Sequence, residues 1–152
     1  MIQPSQKILE PWKTNTFQNE DKFQAFCIKL IDDYFPELLG LRFHPMNEIY
    51  FPPQIGETDE EYQKRCAFYG SQNKAKGKLA GVPDIIIKWK GILFSIELKQ
   101  PKGVLGKEQI KIHEKWCMDC EDIQTAVCKT PFEVYQYLVW IINSKFKIVK
   151  NG

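Results

Sequence analysis

The sequence lacks an apolar run long enough to cross a membrane. Its longest aliphatic and aromatic run is the six-residue segment 137–142 (YLVWII), whereas a membrane-spanning helix needs about 20 such residues. The first seven residues, MIQPSQK, also lack the basic and then apolar pattern of a secretory signal peptide. We therefore expect an intracellular, cytoplasmic protein that has no membrane partner.

Cysteine and phosphate-binding glycine patterns are sparse as well. The chain has 5 cysteines, an odd number without the density of a disulfide-stabilised secreted domain, so we expect reduced thiols. The spacing of Gly70, Gly77 and Lys78 does not fit a phosphate-binding loop, which argues against a nucleotide cofactor. No internal repeat is present, and the composition of 43% hydrophobic and 26% charged residues predicts one globular domain over residues 1–152.

Basic and acidic residues are nearly balanced, with 21 Lys and Arg against 19 Asp and Glu. The net charge of +2 is too small to identify a nucleic-acid-binding protein by itself. Its distribution is more informative, because residues 57–61 contain four acidic side chains, whereas residues 62–80 contain five basic ones and no acid. This basic segment predicts either contacts with nucleic-acid phosphates or a solvated basic loop.

The hydrophobic spacing predicts a mixed α/β fold. Its elements are helix, strand, strand, strand, helix, strand and helix, at residues 23–34, 41–44, 84–89, 92–99, 107–120, 123–128 and from 131 onward. We interpret residues 1–16 as an irregular N-terminal arm. Residues 48–80 have no clear pattern and read as a basic insertion, with one helix through residues 60–69.

Two β-rich runs joined by Lys90-Gly91 predict a hairpin with a two-residue loop. In that register Asp84 faces Glu97, and Lys99 lies on the same face two residues beyond Glu97. The opposite face carries only apolar side chains and must belong to the core: Ile85, Ile87, Trp89, Ile92, Phe94, Ile96 and Leu98.

Two facing carboxylates at one end of a hairpin require positive charge. Directly opposed residues have Cβ atoms about 4.5–5.5 Å apart, and like charges there are unfavourable. A divalent cation such as Mg²⁺ would satisfy Asp84 and Glu97, because it prefers oxygen ligands. The alternative is an exposed salt-bridge cluster in which Lys99 alone neutralises the acids.

These residues resemble a nuclease signature. GVPD at residues 81–84, separated by twelve residues from ELK at residues 97–99, is similar to the PD-(D/E)XK motif, and the order of elements resembles the αβββαβ core of that restriction-endonuclease-like superfamily. The segments 77–84 and 103–109 resemble its VRR-NUC branch, as do Glu20 and Gln24 one turn apart on the first helix. The resemblance covers about residues 17–142, apart from the insertion.

The resemblance implies a role for each matching residue. Glu20, Asp84 and Glu97 would be the metal-binding carboxylates, and Lys99 and Gln109 would complete the catalytic set. The cofactor would be Mg²⁺, for which Mn²⁺ would substitute. Lysines around the motif would contact DNA phosphates: Lys74, Lys76, Lys78, Lys102 and Lys107.

Helical spacing gives independent expectations for two of these residues. Glu20 and Gln109 each extend an apolar stripe, so both side chains are expected to point inward, and a carboxylate that points inward needs a partner. The alternatives are a first-turn glutamate favoured by the helix dipole and a capping or packing glutamine. His113, Cys117 and Cys120 share one helix face, and we expect core packing rather than zinc binding, because zinc requires a fourth ligand.

The implied function is metal-dependent hydrolysis of DNA phosphodiester bonds. By resemblance to stand-alone VRR-NUC proteins, the substrate would be a four-way (Holliday) junction or other branched DNA, and the active form would be a homodimer located with DNA in the nucleoid or nucleus. Two alternatives remain: a nucleic-acid-binding module that does not cleave, and a repair or restriction nuclease that acts on duplex DNA.

Overall fold

The computed structural model describes residues 1–43, 54–75, 81–119 and 123–144. Within them the helices are α1 (Gln6–Trp12), α2 (Glu20–Tyr34), α3 (Asp59–Ala75), α4 (Lys107–Asp119) and α5 (Pro131–Asn143), and a 3₁₀ turn spans Pro36–Leu38. The strands are β1 (Arg42–Phe43), β2 (Ile85–Trp89), β3 (Ile92–Leu98) and β4 (Ile123–Cys128). In these ranges, no helix combines the length and apolar character that a bilayer crossing demands.

The four strands form one mixed sheet in the order β1-β2-β3-β4. The first three strands are antiparallel, and β4 runs parallel to β3. A parallel pair needs a long crossover connection, and the chain supplies it as α4. The predicted mixed α/β class and the order of elements around the insertion are therefore confirmed.

The predicted hairpin register is also confirmed. Ile85 pairs with Ile96 and Trp89 pairs with Ile92, which leaves Lys90-Gly91 as the two-residue loop. Both loop residues have positive φ, +49° and +86°, as a type I′ turn requires. This turn twists in the same sense as the strands, so it fixes the register on which the position of Glu97 depends.

The core lies between the sheet and helices α2 and α5. On the sheet side it contains the apolar face of the hairpin, with Ile85, Ile87, Phe94 and Ile96 fully buried. The helices contribute one stripe each: Phe23, Cys27, Leu30 and Ile31 from α2, and Val134, Leu138 and Ile141 from α5. As the sequence predicts, α5 begins with a capping threonine, since Thr130 Oγ1 accepts a hydrogen bond from the Glu133 amide.

Part of the N-terminal arm is helical, contrary to the expectation that residues 1–16 are irregular. Residues Gln6–Trp12 form a helix despite Pro11, and Trp12 is only 8% exposed. The indole ring contacts Tyr34 and Tyr135, with ring centroids 5.2 and 5.9 Å away. A helix this short is marginal alone, so we attribute it to this packing, which propensity does not reveal.

The insertion contains the predicted helix, but the helix is longer. α3 reaches from Asp59 to Ala75 and begins in a capping box, because the Thr58 hydroxyl accepts from the Glu61 amide while the Glu61 carboxylate accepts from the Thr58 amide. Residues 48–53 and 76–80 of the insertion lie outside the described residues. Of the predicted strand 41–44, the described part contains Arg42–Phe43.

Candidate active site

Asp84 occupies the turn that leads into β2. Its carboxylate oxygen Oδ2 accepts a 2.7 Å hydrogen bond from the Leu98 amide at the end of β3. Its backbone carbonyl accepts from Gln24 Nε2 on α2 at 3.2 Å. The two bonds hold the Asp84 segment between the hairpin and α2, at the end of the sheet where Glu97 lies. The expected proximity of Asp84 and Glu97 follows from this arrangement, and the charge of Asp84 raises the pKa of Glu97.

Glu97 is almost completely buried, at 1% exposure. Its Oε1 atom accepts hydrogen bonds from Lys99 Nζ at 2.9 Å and from Gln109 Nε2. Its Oε2 atom has no hydrogen-bond partner among the described residues. The Glu97–Lys99 pair is therefore buried, so the alternative of a solvent-exposed salt bridge is wrong for these two residues, although Lys99 does pair with Glu97.

Lys99 links the acidic residues of the cluster. It is 8% exposed, and its ammonium lies 3.6 Å from Glu20 as well as 2.9 Å from Glu97. Glu20 does not point into the core as its helical spacing suggests, because its side chain is 49% exposed. It is the first residue of α2, capped by Asn19, so it lies at the rim of the site, next to the Lys99 ammonium.

Gln109 ties the start of α4 to Glu97. Its amide nitrogen donates to Glu97 Oε1, and its amide oxygen accepts a 2.8 Å hydrogen bond from the Gly106 amide. The predicted inward orientation of the Gln109 side chain is confirmed. Gln109 also caps the N-terminus of α4, which is the alternative role that the sequence suggested. Gly81 packs closely against this turn: a Cβ atom there would lie 2.6 Å from the Glu108 carbonyl oxygen and 2.8 Å from the Gln109 amide nitrogen.

Burial and charge shift the proton affinities in the cluster. Burial, and then the charge of Asp84, raise the pKa of Glu97 to about 7, although Lys99 acts against this rise. Burial by itself would lower the pKa of Lys99, but the surrounding carboxylates, with Glu97 first, raise it. Lys99 is therefore an ammonium at neutral pH. Burial and the Lys99 charge lower the pKa of His113.

Two residues near the cluster are not among the site residues that the sequence predicts. Gln24 enters the sequence-based prediction only through the resemblance, and His113 only as core packing. His113 follows Gln109 by one helical turn, and its Nε2 atom lies 4.0 Å from Glu97 Oε2. The four-residue spacing from Gln109 could have placed His113 at the site, because residues at i and i+4 share a helix face. The side chain of Cys117, and Cys120 itself, lie outside the described part of the chain.

The proposed DNA-contacting lysines are only partly described. Two of them are exposed near the connection between β3 and α4: Lys102 follows β3, and Lys107 begins α4. The same connection contains Gly106, whose amide donates to Gln109. Lys74 belongs to α3, but its side chain is not described, and Lys76 and Lys78 lie outside the described residues. Within the described ranges, no three His, Cys, Asp or Glu side chains already form a metal-holding group.

The proton on Glu97 predicts an unusual dependence of stability on pH. Its pKa is about 7 in the fold against an ordinary 4.5, so between these values the folded protein holds a proton that the unfolded chain releases. The free energy of unfolding should therefore fall as pH rises from 5 to 8, by on the order of 2–3 kcal/mol from this group. Denaturant unfolding in EDTA should show this loss relative to Glu97→Gln. If the free energy of unfolding changed with pH in the same way in the original protein and in Glu97→Gln, the prediction would be contradicted. The control is Glu108→Gln, which changes an exposed glutamate and should show the same pH dependence as the original protein.

Gly81→Ala should loosen the site, and Gly91→Ala is its matched control. Both glycines have φ of +86°, but a Cβ at Gly91 would meet nothing within 4 Å. Gly91→Ala should cost only the backbone strain of about 1 kcal/mol, whereas Gly81→Ala should cost at least about 1–2 kcal/mol more because α4 must move. Equal losses of unfolding free energy in the two variants would show that α4 does not rest on Gly81.

Comparisons of the chain with protein-family models, with curated proteins and with solved structures find no match. The chemistry of the site must therefore be argued from its own side chains. These are two neighbouring carboxylates at the end of a hairpin, a buried lysine between acids, and a glutamine that anchors the following helix to Glu97.

Proposed function

We propose that the protein is a metal-dependent DNA endonuclease built on a PD-(D/E)XK core of the VRR-NUC type. The observation that carries this proposal is the burial of Glu97 and Lys99 in one charged cluster beside Asp84. A buried ion pair adds little to stability, because desolvation costs about as much as the pairing returns. A perturbed carboxylate with a specific charge partner is instead typical of functional sites.

The donor set fits a hard divalent cation. Glu97 Oε2 is buried without a hydrogen-bond partner among the described residues, and a buried carboxylate of this kind gains from a cation. Asp84 and Glu97 would hold the ion, with Glu20 contributing from the rim, and carboxylate oxygens are the ligands that Mg²⁺ and Mn²⁺ accept. A bound ion of this class activates a water molecule and withdraws charge from the phosphate.

The protein's own residues supply position and charge. The Leu98 amide orients Asp84, and Gln109 orients Glu97. Lys99 brings a positive charge into the cluster, and its raised pKa keeps it protonated. Its role would therefore be to stabilise negative charge on the phosphate in the transition state rather than to accept a proton.

The substrate we propose is branched DNA, in particular a four-way junction, cut by a homodimer. Exposed Lys102 and Lys107 would contact backbone phosphates beside the site, a mode of binding that does not read base sequence. A two-fold symmetric junction offers two equivalent strands, and the described part of one chain supplies one charged cluster. An isologous dimer would supply two. Linear duplex DNA is the rival substrate within the same reaction.

A module that binds nucleic acid without cleaving it is the second candidate. Lys99 already neutralises Glu97 in the fold, and the described residues hold no ready three-ligand group. Both observations suit a cluster that only braces the end of the hairpin. Cleavage assays distinguish this candidate from the nuclease directly.

Cleavage should require a divalent metal and all three motif side chains. Labelled four-way junction, flap, single strand and duplex would be incubated with Mg²⁺, Mn²⁺ or EDTA, and we expect cutting of branched DNA only with metal. Asp84→Asn and Glu97→Gln should abolish it. Lys99→Met should keep DNA binding but lose about 10²–10³-fold in turnover, because its charge acts mainly in the transition state.

Lys88→Met is the matched control for Lys99→Met. Lys88 is an exposed lysine on the same face of the hairpin, and its replacement should leave turnover unchanged. Cutting in EDTA, or full turnover by Lys99→Met, would contradict the proposed mechanism. Tight DNA binding without any cleavage under these conditions would favour the non-cleaving module.

Replacement of Lys74, Lys76 and Lys78 by glutamine should weaken binding to every DNA shape by a similar factor. The slope of log affinity against log salt should fall by up to about 0.9 for each DNA phosphate that the variant no longer neutralises. Turnover on saturated substrate should change little. Lys29→Gln, which removes an exposed lysine paired with Asp33 on α2, is the control. An unchanged affinity and salt slope would show that these three lysines are solvated and do not contact DNA.

A further inference from the structure

The second oxygen of Glu97 faces a histidine across a short gap. His113 is 9% exposed, and its Nε2 atom lies 4.0 Å from Glu97 Oε2. Both atoms are buried, and neither has a hydrogen-bond partner among the described residues. One nitrogen and one oxygen at this separation can become donor and acceptor after a small side-chain rotation.

The energetics favour closure of this gap. A buried polar atom left without a partner costs about 1–3 kcal/mol, and here two such atoms would be satisfied by one hydrogen bond. Both the neutral imidazole in its Nε2–H tautomer and the protonated ring carry a hydrogen at Nε2. An ionised Glu97 carboxylate can only accept, so the direction of the bond is fixed for the form that would bind a metal.

We propose that His113 is a positioning residue of the candidate active site, which donates from Nε2 to Glu97 Oε2. Gln109 donates to Oε1 from the preceding turn of α4, so the helix would hold the carboxylate through both oxygens. This inference rests on the proposed function, in which Glu97 is a metal ligand. His113 itself would touch neither metal nor DNA.

A carboxylate held in this way is oriented for its ligand role. Each carboxylate oxygen has two lone-pair positions, so the hydrogen bond from His113 leaves room for a metal at Oε2 while it removes the freedom of the carboxylate to rotate. Loss of such a supporting hydrogen bond costs about 10–100-fold in metal affinity or activity in known metal sites. The histidine would therefore affect metal affinity without being a ligand.

Metal titration of the full chain tests the role. Mn²⁺ binding would be measured by calorimetry for the original protein, His113→Leu, His113→Gln and the control Glu114→Leu, which changes an exposed residue of the same helix. We expect His113→Leu to lose about 10–100-fold in Mn²⁺ affinity, His113→Gln to keep most of it through its side-chain amide, and Glu114→Leu to lose none. Unchanged affinity in His113→Leu, or equal losses in the Leu and Gln variants, would overturn the proposal.

A measurement without metal separates this inference from the proposed function. The chain has 2 histidines, so the side-chain nitrogen resonances of His113 can be assigned by ¹H–¹⁵N correlation in EDTA. We expect the hydrogen on Nε2 and a shift of that resonance in Glu97→Gln but not in Glu108→Gln. A hydrogen on Nδ1, or no shift in Glu97→Gln, would overturn the His113 contact even if Mn²⁺ binds. If Mn²⁺ does not bind while the shift is present, the proposed metal site is wrong and the contact stands.

Discussion

The backbone pairing of β2 with β3 is the constraint on which the rest of this structure depends. The type I′ turn at Lys90-Gly91 fixes the register, and a slip of one residue would turn one strand over relative to the other. Ile85 would then share its face with Glu97 instead of Ile96, so Glu97 would enter the core and Ile96 would leave it. The same register that builds the core thus places Glu97 and Lys99 on the opposite face, at the end where Asp84 enters the sheet.

The charged cluster at that end is costly to bury and is compensated locally. Glu97 accepts two hydrogen bonds on one oxygen, and Lys99 lies between Glu97 and Glu20. The compensation is incomplete, because burial and the neighbouring charge of Asp84 still hold the pKa of Glu97 at about 7. A carboxylate pKa that is shifted by burial and by a specific neighbouring charge is typical of ligand-binding and catalytic sites. This is why we propose a catalytic role for the cluster.

Helix α4 converts this end of the sheet into an enclosed site. The first turn of α4 rests against Gly81, where a side chain would collide with the helix backbone. Gln109 then reaches Glu97 while it caps its own helix, and His113 follows on the same side. Gly81, the Asp84 and Glu97 pair and the first turns of α4 therefore pack together, although Gly81 and Gln109 are more than twenty residues apart in the chain.

The sequence by itself determined the local pattern: the hairpin register, the apolar face, the limits of β4, the starts of α4 and α5, and the neighbouring positions of Asp84 and Glu97. These follow from alternation, helical spacing and turn chemistry, which act over a few residues. Only the tertiary structure decided which groups are buried. Glu20 is half exposed despite its spacing, α1 forms because Trp12 packs on distant aromatic rings, and His113 faces Glu97 because α4 crosses the sheet at that point. Burial depends on contacts between segments far apart in the chain, and a local pattern contains no information about their distance.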